Sequence, residues 1–84
     1  MWKETIHVEA PYDFDLVLER IGLDPLYEID YRNRTIQVPL LIHGKPNVYT
    51  VQAIGTVDKP AFVISGNEEQ TLATNRLAEI FQWH

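Results

Sequence analysis

Hydrophobic and polar residues alternate near the start of the chain, where Ile6, Val8 and Ala10 are interleaved with Thr5, His7 and Glu9. A period of two marks a strand with one buried face, and Pro11 and Tyr12 stop it. The period then changes. Phe14, Val17, Leu18 and Ile21 fall at i, i+3, i+4 and i+7, one stripe of an α-helix, with Asp13 as its N-cap and Gly22 where a left-handed C′ residue belongs. Downstream, strands are predicted over 26–30, 35–42, 47–57 and 61–65, with turns at 31–34, 43–46 and 58–60 that carry Asn, Gly or Pro. Pro39 cannot donate a ladder hydrogen bond, so it predicts an edge position or a bulge, and Gly55 predicts a bulge or a close-packing point. Gly66 breaks the last strand. Asn67 followed by Gln70 resembles a capping box, with Glu68 and Glu69 placed in the first turn at the positive end of the helix dipole. Ala73, Leu77, Ile80 and Phe81 then form the buried stripe of a second helix.

The predicted order is β-α-β-β-β-β-α. The fold class is therefore α+β, an antiparallel five-stranded sheet with two helices on one face, in a single domain spanning 1–84. Helical spacing continues through Phe81, Gln82, Trp83 and His84 with no Gly or Pro terminator. This reads either as a terminal helix that frays or, as the preferred expectation, as a domain boundary at which Trp83 makes an interdomain contact.

Composition narrows the functional classes. An apolar share of 45% with 23% charged residues belongs to a folded globular chain, not a disordered one. The net charge of −5 opposes autonomous binding to nucleic acid, which needs cations to neutralise phosphates. Absence of cysteine removes disulfides, thiolate catalysis and zinc ribbons. The first residues lack the apolar core of a signal peptide, and the longest apolar run, 38–42, contains Pro39 and is far too short to span a bilayer. The expectation is a soluble cytoplasmic protein with no membrane partner.

No catalytic constellation emerges. His7, His43 and His84 lack metal-binding spacing, so neither a metal nor a cofactor is expected. Asp15 and Glu19 share one outer helix face, where a like-charged pair is ordinarily just solvated. Ser65 is the only serine and has no histidine near it in sequence, and the glycines form no phosphate-binding loop. A basic turn remains. Arg32 and Arg34 flank Asn33, with Lys45 in the next turn, and these are the residues that a DNA-backbone contact would use. The plainer reading is a solvated surface hairpin.

The segment Ala10-Pro11-Tyr12-Asp13-Phe14, followed by Leu16-Val17-Leu18, resembles the opening of the N-terminal domain of the DNA-3-methyladenine glycosylase II family. The closing pattern Arg76-Leu77-Ala78-Glu79-Ile80-Phe81 is similar to the helix that leads into that family's catalytic domain. The resemblance implies a TATA-binding-protein-like fold. It also implies that the lesion pocket and catalytic aspartate lie in a helix-hairpin-helix domain that this chain does not contain. Such enzymes flip an alkylated base out of the duplex and cleave its glycosidic bond. On this resemblance the chain is a non-catalytic accessory domain in base excision repair. Its partners are the catalytic domain of the same polypeptide and, through the parent protein, double-stranded DNA. Phe14 stands where some relatives carry Trp, and residues 23–31 match no motif of the family. The alternative is a stand-alone protein-interaction module using an open sheet face or edge.

Overall fold

The computed structural model describes residues 1–22, 27–56 and 58–83. The elements are β1 (Trp2–His7), α1 (Phe14–Ile21), β2 (Glu28–Asp30), β3 (Thr35–Ile42), β4 (Lys45–Ala53), β5 (Ala61–Gly66) and α2 (Gln70–Phe81). All strand pairs are antiparallel, and the spatial order is β1-β5-β4-β3-β2. The α+β class and the element order match the sequence reading.

Alternation decides which face is covered. Ile36, Val38, Leu40 and Ile42 of β3 point the same way as Tyr49 and Val51 of β4 and Phe62 and Ile64 of β5, and all are buried. Phe14 and Leu18 of α1 and Ala73, Leu77 and Phe81 of α2 join them in one apolar cluster, which places both helices on that face. Removing these side chains from water is the main stabilising term, roughly 1.5–3 kcal/mol for each large one. Among the described residues the opposite face carries no helix.

α1 forms as its spacing predicts, and the Leu16 amide donates to Asp13 Oδ1 at 3.2 Å. Its end differs from expectation. Gly22 is right-handed (φ −66°), and its amide donates to the Leu18 carbonyl. Glycine is required there by proximity: a Cβ would stand 2.6 Å from the Leu18 oxygen and 2.8 Å from the Tyr31 hydroxyl.

The β3–β4 connection is tighter than the predicted four-residue turn. Only His43 (φ 53°) and Gly44 (φ 78°) make it, a two-residue hairpin in which both positive dihedrals match the twist of the strands. Lys45 and Pro46 already belong to β4. That strand ends at Ala53, so Gly55 lies beyond it in the connection, against the Lys59 carbonyl. Pro39 sits in an unbroken register opposite Val48. Among the described residues β2 reaches only as far as Gln37, so Pro39 has no described strand partner on that side, and its register with β4 contains no bulge. Gly66 pairs with Trp2 as the last residue of β5 instead of breaking it. The predicted strand positions Leu26 and Val57 lie outside the described residues.

Both ends of α2 depart from the sequence reading. The capping box does not form, because the helix starts at Gln70 after Glu69 in a left-handed conformation with no side-chain cap. Glu68 and Glu69 precede the first turn. Trp2 Nε1 (3.3 Å) and the Tyr49 hydroxyl (3.0 Å) both donate to the Glu68 carbonyl, so tertiary contacts hold the helix entrance. At the other end the helix does terminate. Gln82 turns left-handed (φ 58°) and the Trp83 amide donates back to the Ala78 carbonyl at 2.9 Å, a Schellman-type stop made without glycine. Burial of the Trp83 ring outweighs the strain at Gln82.

Candidate functional site

The sequence-predicted basic residues do not converge. Arg34 turns back onto α1, with Nε 3.7 Å from Asp15 Oδ1 and its guanidinium 5.6 Å from the centre of the Phe14 ring. It ties the β2–β3 turn to the start of α1, as a cation over an aromatic face can. Arg32 stays exposed in that turn, which Asp30 organises by accepting from the Asn33 amide (3.1 Å) and side chain (2.7 Å). These bonds hold the exposed Asp30 carboxyl below its usual pKa. Lys45 begins β4 at the far end of the eight-residue β3, roughly 26 Å along the sheet. Arg32, Arg34 and Lys45 therefore form no continuous cationic patch.

The chemical candidates are equally dispersed. Asp15 is engaged by Arg34, and Glu19 is exposed on α1. His7 lies on the open face of the sheet, and His43 Nε2 approaches Glu69 Oε1 at 3.6 Å. His84 lies outside the described residues. Among the described residues no three His, Asp or Glu side chains come together, and no helix is long and apolar enough to cross a membrane.

The most constructed part of the molecule is the elbow at residues 10–14. The Tyr12 hydroxyl donates to the Phe81 carbonyl at 2.5 Å, across 69 positions of sequence. That carbonyl, at the end of α2, has no helical partner, so the elbow tyrosine caps the second helix. The Tyr12 ring meets Phe62 edge-on at 5.3 Å, and Phe14 packs on Phe62 at 5.2 Å. Trp83 completes the cluster, at 4.7 Å from Phe62 and 5.2 Å from Phe81, with only 8% of its surface exposed. The residue expected to serve an interdomain contact thus gives its ring to this core. Its buried Nε1 completes no hydrogen bond of good geometry, although the indole acts on the Tyr12 oxygen. Sequence reasoning missed the Tyr12–Phe81 link, since nothing local signals a contact between the first helix entrance and the last helix exit.

Burial pushes the Tyr12 hydroxyl up to about 12, with Trp83 and Arg20 opposing the rise. The folded-state value exceeds the ordinary value of 10.0, so Tyr12 favours folding below pH 10 and loses that contribution as pH climbs towards 12. Urea unfolding at pH 8 and pH 11 is expected to show a drop in stability that Tyr12→Phe reduces, with the variant itself costing about 1 kcal/mol at pH 8. Equal drops in both proteins would place the alkaline sensitivity elsewhere.

The open face holds a shallow concavity of about 440 Å³, whose lining includes Glu28, Asp30, Thr35, Gln37 and Gln52. It is polar and acidic, unlike a phosphate-binding groove.

Comparison with known proteins adds two relatives. The chain is 48% identical over 86 residues to the "Uncharacterized protein in fumA 3'region" of Geobacillus stearothermophilus, covering 99% of this chain and 97% of that protein. It is 40% identical over 84 residues to the "Putative DNA-3-methyladenine glycosylase YfjP" of Bacillus subtilis (strain 168), covering 99% of this chain but only 29% of that protein. No protein-family model and no solved structure matches.

Proposed function

The chain belongs to the family of the Geobacillus stearothermophilus fumA 3′-region protein, and we propose that it serves as the non-catalytic N-terminal domain of a DNA-3-methyladenine glycosylase. One observation carries this reading: the whole chain aligns with a segment amounting to 29% of a relative named for that activity. The remaining seven-tenths of such a protein has room for base flipping and hydrolysis of the glycosidic bond. The charge of −5 supports this division of labour, because it leaves the phosphate contacts to the larger part. In this reading the domain acts in the cytoplasm, on alkylated chromosomal DNA, as a folded support for the catalytic part.

An excision assay on methylated duplex DNA tests it. The 84-residue chain alone is expected to release no methyladenine, whereas the Bacillus relative with this chain substituted for its matching segment retains activity. Release by the isolated chain would overturn the assignment, as would an inactive, well-folded chimera beside an active parent.

A second reading, a stand-alone interaction module, is favoured by the near-complete coverage of the Geobacillus relative, at 97% of its length. Reading the gene beyond codon 84 separates the two, because a helix-hairpin-helix region supports the first and a stop codon the second.

A further inference from the structure

We infer that the uncovered face of the sheet pairs with the same face of a second copy of this chain, about a twofold axis running along β4. The proposal is independent of the repair reading and rests on how the strand registers arrange charge and apolar surface. One row of side chains crosses all five strands on this face: Lys3, Ser65, Thr50, Gln37 and Glu28. It begins with a cation at one edge and ends with a carboxylate at the other. β4 is the middle strand. A twofold axis parallel to it exchanges the two edges and preserves position along the strands, so Lys3 of each copy stands over Glu28 of the other. Both residues are exposed, and among the described residues neither forms an ion pair within its own chain.

The apolar surface lies where the same axis passes. Val48, on β4, is 58% exposed and pairs with Pro39, while Leu41, 65% exposed, pairs with Pro46. In the twofold arrangement Val48 meets its own counterpart on the axis, two residues along β4 from Thr50 and towards the β3–β4 hairpin, while the Lys3–Glu28 pairs lie at the two edges. Facing sheets lie about 10 Å apart, a gap that extended Lys and Glu side chains together span. The usual rotation of about 30° between aligned sheets shifts an edge roughly 10 Å from the axis by only about 5 Å, within the reach of a lysine stem. DNA is a poorer occupant, because Glu28 and Asp30 line the face.

Size sets the strength. The strand pairs, about 4.8 Å apart, run over six residues for β1–β5, four for β4–β5, eight for β3–β4 and three for β2–β3, so the face buries on the order of 350 Å² per copy. The total of about 700 Å² falls well below that of stable dimers, so the association is weak, with a Kd on the order of 100 µM.

Sedimentation equilibrium of the 84-residue chain from 5 µM to 1 mM tests the pairing. The expected result is a monomer–dimer equilibrium that Lys3→Glu or Glu28→Lys alone weakens by about 10-fold, while the double exchange restores it to within about 3-fold. Val48→Lys, which sets two cations against each other on the axis, is expected to abolish it. Circular dichroism melts check that each variant folds, as surface substitutions should. A monomer at 1 mM overturns the proposal and leaves the face to another partner. Dimerisation indifferent to Val48→Lys, or not rescued by the double exchange, overturns it equally.

Discussion

Phe62→Ala is expected to cost this chain about 3–5 kcal/mol and to lower its melting temperature by on the order of 15–30 °C. Phe62 is 1% exposed on β5, and its ring touches Tyr12, Phe14 and Trp83 at centroid distances of 5.3, 5.2 and 4.7 Å. It joins the elbow, the first helix and the C-terminal turn to the sheet. Truncation removes the transfer energy of the ring and leaves a cavity whose walls come from three separate elements, so it cannot collapse easily. A chain of 84 residues has a total stability of only about 4–13 kcal/mol, so the variant is expected to be partly unfolded near 37 °C. Urea titration followed by circular dichroism measures the loss. Phe62→Leu, which keeps most of the volume, should lose less than about 1.5 kcal/mol. A loss under 1 kcal/mol for Phe62→Ala would mean that the aromatic cluster does not exist in solution.

Trp83→Ala is expected to destabilise the isolated chain by about 3 kcal/mol, near the lower end for a buried tryptophan. The ring is 8% exposed and stacks on Phe81, and it is the apolar residue that holds the left-handed turn at Gln82 against the core. Without it, the bond from the Trp83 amide to the Ala78 carbonyl loses its anchor and the last turn of α2 frays. The Tyr12 cap on Phe81 then weakens as well. Trp83→Phe should recover most of the loss, because the indole N–H completes no hydrogen bond of good geometry. The same measurement bears on the expectation that this tryptophan packs on a following segment. If that were its main role, Trp83→Ala would leave the 84-residue chain as stable as before.

Some elements were legible because their determinants are local. α1 has its cap, its apolar stripe and its stop within ten consecutive positions, from Asp13 to Gly22. β3 was legible as an apolar, β-branched-rich run, and its bounds agree with the prediction because Asn33 at one end and Gly44 at the other favour a turn. Proline at position 39 pointed to an edge position or a bulge, and the register of β3 with β4 runs through it without a bulge.

The missed features have determinants that lie far apart in sequence. The entrance to α2 is set by Trp2 and Tyr49 holding the Glu68 carbonyl, so the local capping signal of Asn67 and Gln70 lost to contacts from β1 and β4. Arg34 read as a surface cation until the fold brought Phe14 and Asp15 beneath it. The basic residues looked close because turns 31–34 and 43–46 are neighbours in sequence, yet a strand separates them in space.

The sequence by itself determined the element order, the buried stripes of both helices and the charge balance that disfavours autonomous DNA binding. Each of these depends on periodicity or composition, which short segments carry alone. Only the tertiary structure decided that Tyr12 caps the second helix, that Trp83 closes this core, and that Lys3 and Glu28 lie at opposite ends of one row. Those outcomes depend on strand registers and on packing between residues up to 69 positions apart, and no local pattern encodes such separations.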